Sequence, residues 1–171
     1  MRLLVFSLTF LACVTSQIHI HAQSELAKRN GFKDIKLGGL IDSVKGAEFK
    51  KDIIEGKEFP AKLYEVHHKD YDKIGTVDVK HIELKVYRGF IYQITVFTEK
   101  DPQVMKALEK TYGKAIYSIR AERFYWRSTD TLSLVYKGHP KKIELIYRSM
   151  PISKLMFIDK GKKVEEIAED F

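Results

Sequence analysis

Hydrophobic and polar residues alternate most regularly between Val77 and Thr98, and this alternation predicts a β-hairpin. The apolar positions that share a face on the two strands are Ile82, Leu84 and Val86, and then Phe90, Tyr92, Ile94 and Val96. A three-residue loop over residues 87–89 pairs Leu84 with Tyr92, whereas a two-residue turn pairs Leu84 with the polar Gln93. Gly89 can adopt the positive φ that the last position of a three-residue loop requires. We therefore predict the three-residue loop.

A second hairpin follows farther along the chain. Residues 122–127 and 131–136 alternate in the same way, and a loop over residues 128–130 pairs Trp126 with Leu132 and Phe124 with Leu134. This register directs Phe124 and Trp126 into the core and Tyr125 to the opposite face of the sheet. Residues 142–148 supply a further strand.

The clearest helix signal lies between these two hairpins. Asp101 suits the N-cap, Pro102 the first helical position and Gly113 the C-terminal stop. A second amphipathic helix is predicted over residues 162–171, with one side facing the core. Its inward positions are Val164, Ile167, Ala168 and Phe171. Residues 150–158 are ambiguous, and a short strand at residues 155–158 is one interpretation.

The N-terminal half reads as a short helical turn over residues 24–30, a strand over 32–37, a short helix over 40–44 and strands over 49–54 and 62–68. Helix-then-strands order therefore occurs twice, in residues 39–98 and 101–148, although the two sequences are not similar. We predict an α+β fold: a largely antiparallel sheet of hairpins with helices packed on one face, with two tandem helix-then-strands units as one arrangement.

The first residues form a leader with one positive charge followed by an apolar run from Leu3 to Val14. This run is shorter than the roughly 20 residues that a transmembrane helix needs. We predict a signal peptide over residues 1–22, with cleavage after Ala22 or Ser16, and a single exported domain over residues 23–171 in the periplasm or outside the cell. A lipid anchor at Cys13 is the alternative, and we expect no transmembrane segment.

The composition bears on which bonds, metal sites and partners the protein can have. Cys13 is the only cysteine in the sequence, so the predicted mature domain has no disulfide and no thiolate metal site. The formal net charge of +7 favours acidic partners, such as another envelope protein or an anionic surface. The lysines are scattered and the leader predicts export, so we do not expect a nucleic-acid partner.

One cluster has the residue types of a metal or hydrolase site: His67, His68 and Asp70. Adjacent histidines on a strand point to opposite faces, and Lys69 would repel a cation, so a charged surface loop is the competing interpretation. The chain contains no G-x-S-x-G, no Gly-rich phosphate loop and no H-E-x-x-H. We therefore expect no cofactor and no enzymatic activity. A small hydrolase or metal-dependent enzyme that uses this cluster is the alternative.

The predicted binding surface is the row formed by Arg123, Tyr125 and Arg127, which share the face opposite the core. Arginine and tyrosine are favoured at interaction sites. The competing interpretation is an ordinary solvated strand face.

The stretch from Gly31 to Gly38 (GFKDIKLG), followed by Ser43-Val44, resembles the opening of small envelope modules. These are the outer-membrane assembly lipoproteins of the SmpA/OmlA type and the β-lactamase inhibitor proteins. The chain is also similar to small uncharacterised exported proteins of Gram-negative bacteria. It departs from these families at Gly39-Leu40, where they usually have Met-Thr, and it lacks the disulfides of the inhibitors. The resemblance implies an exported protein-binding module, and no family site residue can be transferred.

Overall fold

The computed structural model describes residues 25–56, 58–128 and 131–170. The predicted signal peptide and the alternative lipid anchor at Cys13 lie outside the described residues. So does Phe171, which we predicted to face the core.

The described chain contains eleven strands and three α-helices. They are α1 (residues 25–29), β1 (Gly31–Phe32), β2 (Ile35–Lys36), β3 (Ala47–Glu55), β4 (Phe59–Val66), β5 (Lys73–Ile74), β6 (Val77–Tyr87), β7 (Phe90–Glu99), α2 (Pro102–Tyr112), β8 (Ile116–Ser118), β9 (Arg123–Arg127), β10 (Leu132–Gly138), β11 (Lys142–Ser149) and α3 (Met150–Ala168). Single 3-10 turns at Ile41–Ser43 and Lys69–Tyr71 flank the β3–β4 hairpin.

One large antiparallel sheet dominates the fold. Its strands lie in the order β3-β4-β6-β7-β11-β10-β9-β8, and β5 also pairs with β6. The strands β1 and β2 form a separate two-stranded hairpin, where we had predicted one continuous strand over residues 32–37. The predicted α+β class with a largely antiparallel sheet is confirmed.

The first face of the sheet carries the large core cluster. The central strands contribute Leu84, Ile94 and Leu145, all of which are almost fully buried. The N-terminal segment and α2 pack against this face, through residues such as Phe32 and Val104. Alternation along the strands explains this arrangement, because residues two apart share a face.

The second face carries the small core cluster, in which Met156 of α3 packs with Tyr87, Tyr92 and Ala61. Tyr87 follows Val86 on β6, and Val86 belongs to the large cluster, so the two clusters lie on opposite faces of the sheet. The helices α2 and α3 therefore contact different faces. The predicted placement of helices on one face is not confirmed, and neither is the predicted pair of tandem units.

The central turn differs from our prediction. Tyr87 pairs with Phe90, so the turn has two residues, and both Arg88 (φ 51°) and Gly89 (φ 84°) adopt positive φ. A β-bulge at Tyr92, opposite Lys85 and Val86, then shifts the register by one residue. Tyr92 therefore lies in the small core cluster and not on the face of Ile94, where we predicted it. Leu84 consequently pairs with Ile94 and not with Gln93. The bulge is what allows a two-residue turn to coexist with apolar pairs farther along the strands.

The predicted register of the second hairpin is also wrong. Trp126 pairs with Leu134, and Phe124 pairs with Tyr136, which is a shift of two residues from the predicted pairs. The strand β9 ends at Arg127 and β10 begins at Leu132, and the backbone N–H of Ser128 donates to the carbonyl of Leu132 at 3.0 Å. A shift by two residues keeps every side chain on its predicted face.

The two predicted helices have different outcomes. The helix α2 begins at Pro102 as predicted, and the Asp101 side chain accepts a hydrogen bond from the backbone N–H of Gln103 at 2.7 Å. By contrast, α3 begins at Met150, because Ser149 caps it, and not at residue 162 as predicted. It includes residues 155–158, for which a short strand was one interpretation. It packs through residues near Met156, so Val164 (57% exposed) and Ile167 (51% exposed) do not face the core. Ala168 is exposed as well.

Candidate functional site

The row of Arg123, Tyr125 and Arg127 lies on β9. Between them, Trp126 is buried in the large core cluster, and its indole N–H donates to the carbonyl of Gly113 at 2.7 Å. This anchor directs the neighbours of Trp126 to the second face of the sheet. Both arginines are exposed there, and Tyr125 is half-buried. Phe124, which we predicted to be core, is half-buried on the first face and packs against the ring of Tyr117 at a centroid distance of 4.7 Å.

The strand register extends this row across the sheet. Tyr125 pairs with Ile116 on β8 and with Val135 on β10, and Val135 pairs with Ile146 on β11. Directly paired residues share a face. We call the line formed by Ile116, Tyr125, Val135 and Ile146 the transverse row. Ile116 is 56% exposed and the other three are half-buried.

The transverse row is largely apolar, and basic side chains stand on both sides of it. Arg123 and Arg127 stand two residues before and after Tyr125, so they flank the row on both sides. Sequence analysis found the two arginines and Tyr125 but missed Ile116, Val135 and Ile146. The strand registers determine which residues stand beside Tyr125. The predicted β9–β10 register is wrong by two residues, so it places a different residue of β10 beside Tyr125.

The histidine cluster lies after the end of β4. His68 precedes the 3-10 turn at Lys69–Tyr71, and its Nδ1 accepts a hydrogen bond from the backbone N–H of Asp70 at 3.3 Å. The Oδ2 atom of Asp70 lies 3.4 Å from the same Nδ1 and 3.6 Å from Lys45 Nζ. His67 instead places its Nε2 3.5 Å from Glu65 Oε2. The two histidines therefore contact different carboxylates.

The backbone of Gly46 packs closely against the backbone of His67, at the start of this cluster. Its carbonyl accepts a hydrogen bond from the backbone N–H of His67 at 2.8 Å, and its φ is 69°. A Cβ atom at this position would lie 2.2 Å from the carbonyl oxygen of His67. Glycine is therefore required for the close approach of these two segments.

A shallow cleft of about 290 Å³ is lined by His67, His68 and His81, together with Asp72. Asp70 contacts His68 but is not part of this lining. His81 stacks on the ring of Phe97 at a centroid distance of 4.2 Å, and its Nε2 lies 3.5 Å from Glu83 Oε1. Among the described residues, no group of three or more His, Cys, Asp or Glu side chains is placed to hold a metal ion. The three histidines thus share a cleft without forming a ligand set.

Two titratable groups near the cluster are perturbed. The hydrogen bond from Lys50 lowers the pKa of the half-buried Glu65 carboxyl. Burial and a hydrogen bond to Asp34 raise the pKa of Tyr71 to about 12. Neither shift produces a group that exchanges a proton near neutral pH, which a general acid or base needs.

A cavity of about 450 Å³ lies on the first face of the sheet, between the N-terminal segment and α2. Its lining includes the basic residues Arg29, Lys33 and Lys36. Sequence analysis missed this cavity, because its walls come from segments more than 60 residues apart in the chain.

A scan against protein-family models, a search of curated proteins and a search of solved structures each found no match. The resemblance to the small envelope modules therefore stays a prediction. In the part of the chain that the structure describes, no helix combines the length and the apolar character needed to cross a membrane.

Proposed function

We propose that this protein is an exported, non-enzymatic binding module whose partner binds on the second face of the sheet, at Arg123, Tyr125 and Arg127. The transverse row is the observation that carries the proposal. It presents apolar side chains on four adjacent strands, and the two arginines stand at its edges.

The chemistry of the row favours a polypeptide partner that carries both apolar side chains and carboxylates. Aromatic and arginine side chains supply much of the binding energy in protein interfaces. Guanidinium groups bind carboxylates through paired hydrogen bonds. The net charge of +7 adds a long-range attraction for an acidic partner, so association is expected to weaken as salt increases.

The alternative of a hydrolase or metal-dependent enzyme at His67, His68 and Asp70 has less support. His68 caps a turn, and His67 and His68 contact separate carboxylates. A metal site needs its ligands to converge on one point.

The test is photo-crosslinking in the cells that produce the protein. A photoreactive phenylalanine analogue replaces Tyr125 in one variant and Tyr117 in the other. Tyr117 is the matched control, because it lies in the β8–β9 hairpin, is 50% exposed and faces the opposite side of the sheet. We expect a protein adduct from position 125 and none from position 117.

Charge reversal sharpens the test. Arg123→Glu with Arg127→Glu should reduce the adduct from position 125 at least about tenfold, because two carboxylate contacts are lost. The control pair Lys114→Glu with Arg120→Glu changes the net charge equally at exposed positions outside the row. Equal adducts from both positions, no adduct from position 125, or an equal effect of the two charge reversals would contradict the proposal. Sedimentation of the protein with anionic phospholipid vesicles, without an adduct, would favour the anionic surface instead.

A further inference from the structure

We infer that the cavity between the N-terminal segment and α2 binds a single-chain amphipathic anion, with its alkyl chain inside and its anionic head group at the basic rim. This inference is independent of the proposed function, because the cavity and the transverse row lie on opposite faces of the sheet.

The cavity has the size and shape of a small-molecule site. Its volume of about 450 Å³ falls within the range of ligand pockets, roughly 300–1,000 Å³. The first face of the sheet supplies the floor through Leu145 and Tyr147. One wall is α2, with Val104 and Leu108, and Phe32 forms the opposite wall.

The floor and walls are apolar. Leu145, Val104 and Phe32 belong to the large core cluster, so the cavity opens directly onto the packed interior. An alkyl chain that enters it leaves water at a gain of roughly 0.8 kcal/mol for each buried CH₂ group. A small inorganic anion would gain nothing from this surface.

The rim is basic. Arg29, Lys33 and Lys36 line the cavity, and its lining, drawn from the described residues, includes no Asp or Glu. Lys36 Nζ donates to the carbonyls of Arg29 and Lys33, both at 2.8 Å, which ties the three residues together. Lys33 Nζ donates to the carbonyl of Asp70 and not to a carboxylate. Arg29 is exposed, and its Nε lies 3.7 Å from Oε2 of the half-buried Glu25.

The charges around the cavity favour a ligand with an anionic head group. Three positive charges at the mouth of an apolar cavity attract an anion and repel a cation. The cleft near His67 differs in this respect, because Asp72 lines it and Glu65 contacts His67. Carboxylates there would offset the attraction for an anion. The hydroxyl of Tyr147 adds a polar group to the lining, and burial keeps its pKa above the ordinary value, so it stays protonated.

The structure also offers an optical readout. Tyr112 lines the cavity, and its ring contacts the ring of Trp126 at a centroid distance of 6.5 Å. Trp126 is the single tryptophan of the chain. A ligand that enters the cavity should therefore change the tryptophan fluorescence.

The experiment titrates the protein with decanoate below its critical micelle concentration and follows both Trp126 fluorescence and the melting temperature. We expect saturable binding and a rise in melting temperature, because a ligand that binds the folded state stabilises it. Decanol and decyltrimethylammonium test the head group, and acetate tests the requirement for the chain. Each of these three should bind at least about tenfold more weakly than decanoate.

Two variants localise the site. Ala107 is an exposed residue of α2 that lines the cavity, so Ala107→Phe should obstruct it, whereas Lys106→Phe on the same helix lies outside the lining. Ala107→Leu makes the same test with a smaller side chain, should the phenylalanine variant unfold. Arg29→Gln with Lys33→Gln should weaken decanoate at least about tenfold while leaving decanol unchanged. Lys100→Gln with Lys114→Gln is the control of equal charge.

Decanol binding as tightly as decanoate would overturn the inference, as would equal effects of the two charge-neutralising pairs. Unchanged decanoate affinity in the Ala107 variants would also overturn it. A failure of these measurements leaves the crosslinking result at position 125 unaffected, so the two proposals can fail separately.

Discussion

At the scale of single residues, Glu55 at the end of β3 shows how a polar group is stabilised beside the small core cluster. Its carboxylate accepts hydrogen bonds from Lys85 Nζ and from the hydroxyl of Tyr92. Burial alone would raise its pKa, but these hydrogen bonds and the charges of Lys85 and Arg148 outweigh burial. The pKa of Glu55 in the folded protein is therefore below its ordinary value of 4.5.

This shift predicts the response of stability to acid. A carboxyl whose pKa is lower in the folded state binds fewer protons there than in the unfolded chain. Its contribution is complete above about pH 4.5 and is lost as the pH falls through the folded-state pKa. We expect the free energy of unfolding to fall less steeply in this acid range in Glu55→Gln than in the unmodified protein. Urea unfolding between neutral and acid pH measures the slopes.

The control for Glu55 is Glu48→Gln, an exposed carboxylate on the same strand. Its slope should match that of the unmodified protein. Identical slopes in all three proteins would show that Glu55 does not stabilise the folded state through its charge.

At the scale of elements, α3 is the part whose packing we predicted incorrectly. Its inward side is defined by Met156, which is 4% exposed, and by Asp159, whose Oδ2 accepts a hydrogen bond from the Tyr87 hydroxyl at 2.8 Å. The C-terminal half, residues 161–168, is exposed throughout. The helix is thus held through its first half.

Two truncations on α3 test this orientation. Met156→Ala removes a buried side chain and should destabilise the protein by about 2–5 kcal/mol. Val164→Ala removes a side chain that is 57% exposed and should change stability by at most about 0.5 kcal/mol. Denaturant midpoints measure both effects. A large cost for Val164→Ala would restore the orientation that the sequence predicted, with this side of the helix facing the core.

At the scale of the whole molecule, the two core clusters share the same sheet. Val86 belongs to the large cluster and Tyr87 to the small one, and the same holds for Ile91 and Tyr92 on the adjacent strand. Loss of β6 or β7 would therefore disrupt both clusters. This coupling supports the proposal of one cooperative domain.

We expect a single unfolding transition. Trp126 fluorescence reports the large cluster, and far-ultraviolet circular dichroism reports the sheet and helices together. The two signals should give the same denaturant midpoint, because a cooperative domain unfolds in one step. Two separated midpoints would instead favour two tandem units that unfold independently. The control Met156→Ala, which perturbs the small cluster, should shift both midpoints equally.

The sequence by itself determined the core-facing side chains of β6 and β9 and the start of α2. Ile82, Leu84 and Trp126 lie on the core side as their alternation predicts, and Asp101 caps α2 as its position predicts. These features depend on residues that are near one another in the chain. Alternation and capping are consequences of local backbone geometry, so a single sequence reveals them.

Only the tertiary structure decided the registers, the orientation of α3 and the sites. The bulge opposite Lys85 and Val86 changes which residues pair and moves Tyr92 to the second face, while Leu84 and Ile94 stay on the first. The apolar residues of α3 offered more than one inward side, and the position of Tyr87 and Tyr92 selected the side with Met156. The transverse row and the cavity beside α2 each combine side chains from several segments of the chain. Such contacts depend on the packing of the complete chain, and the local pattern of any one segment does not contain them.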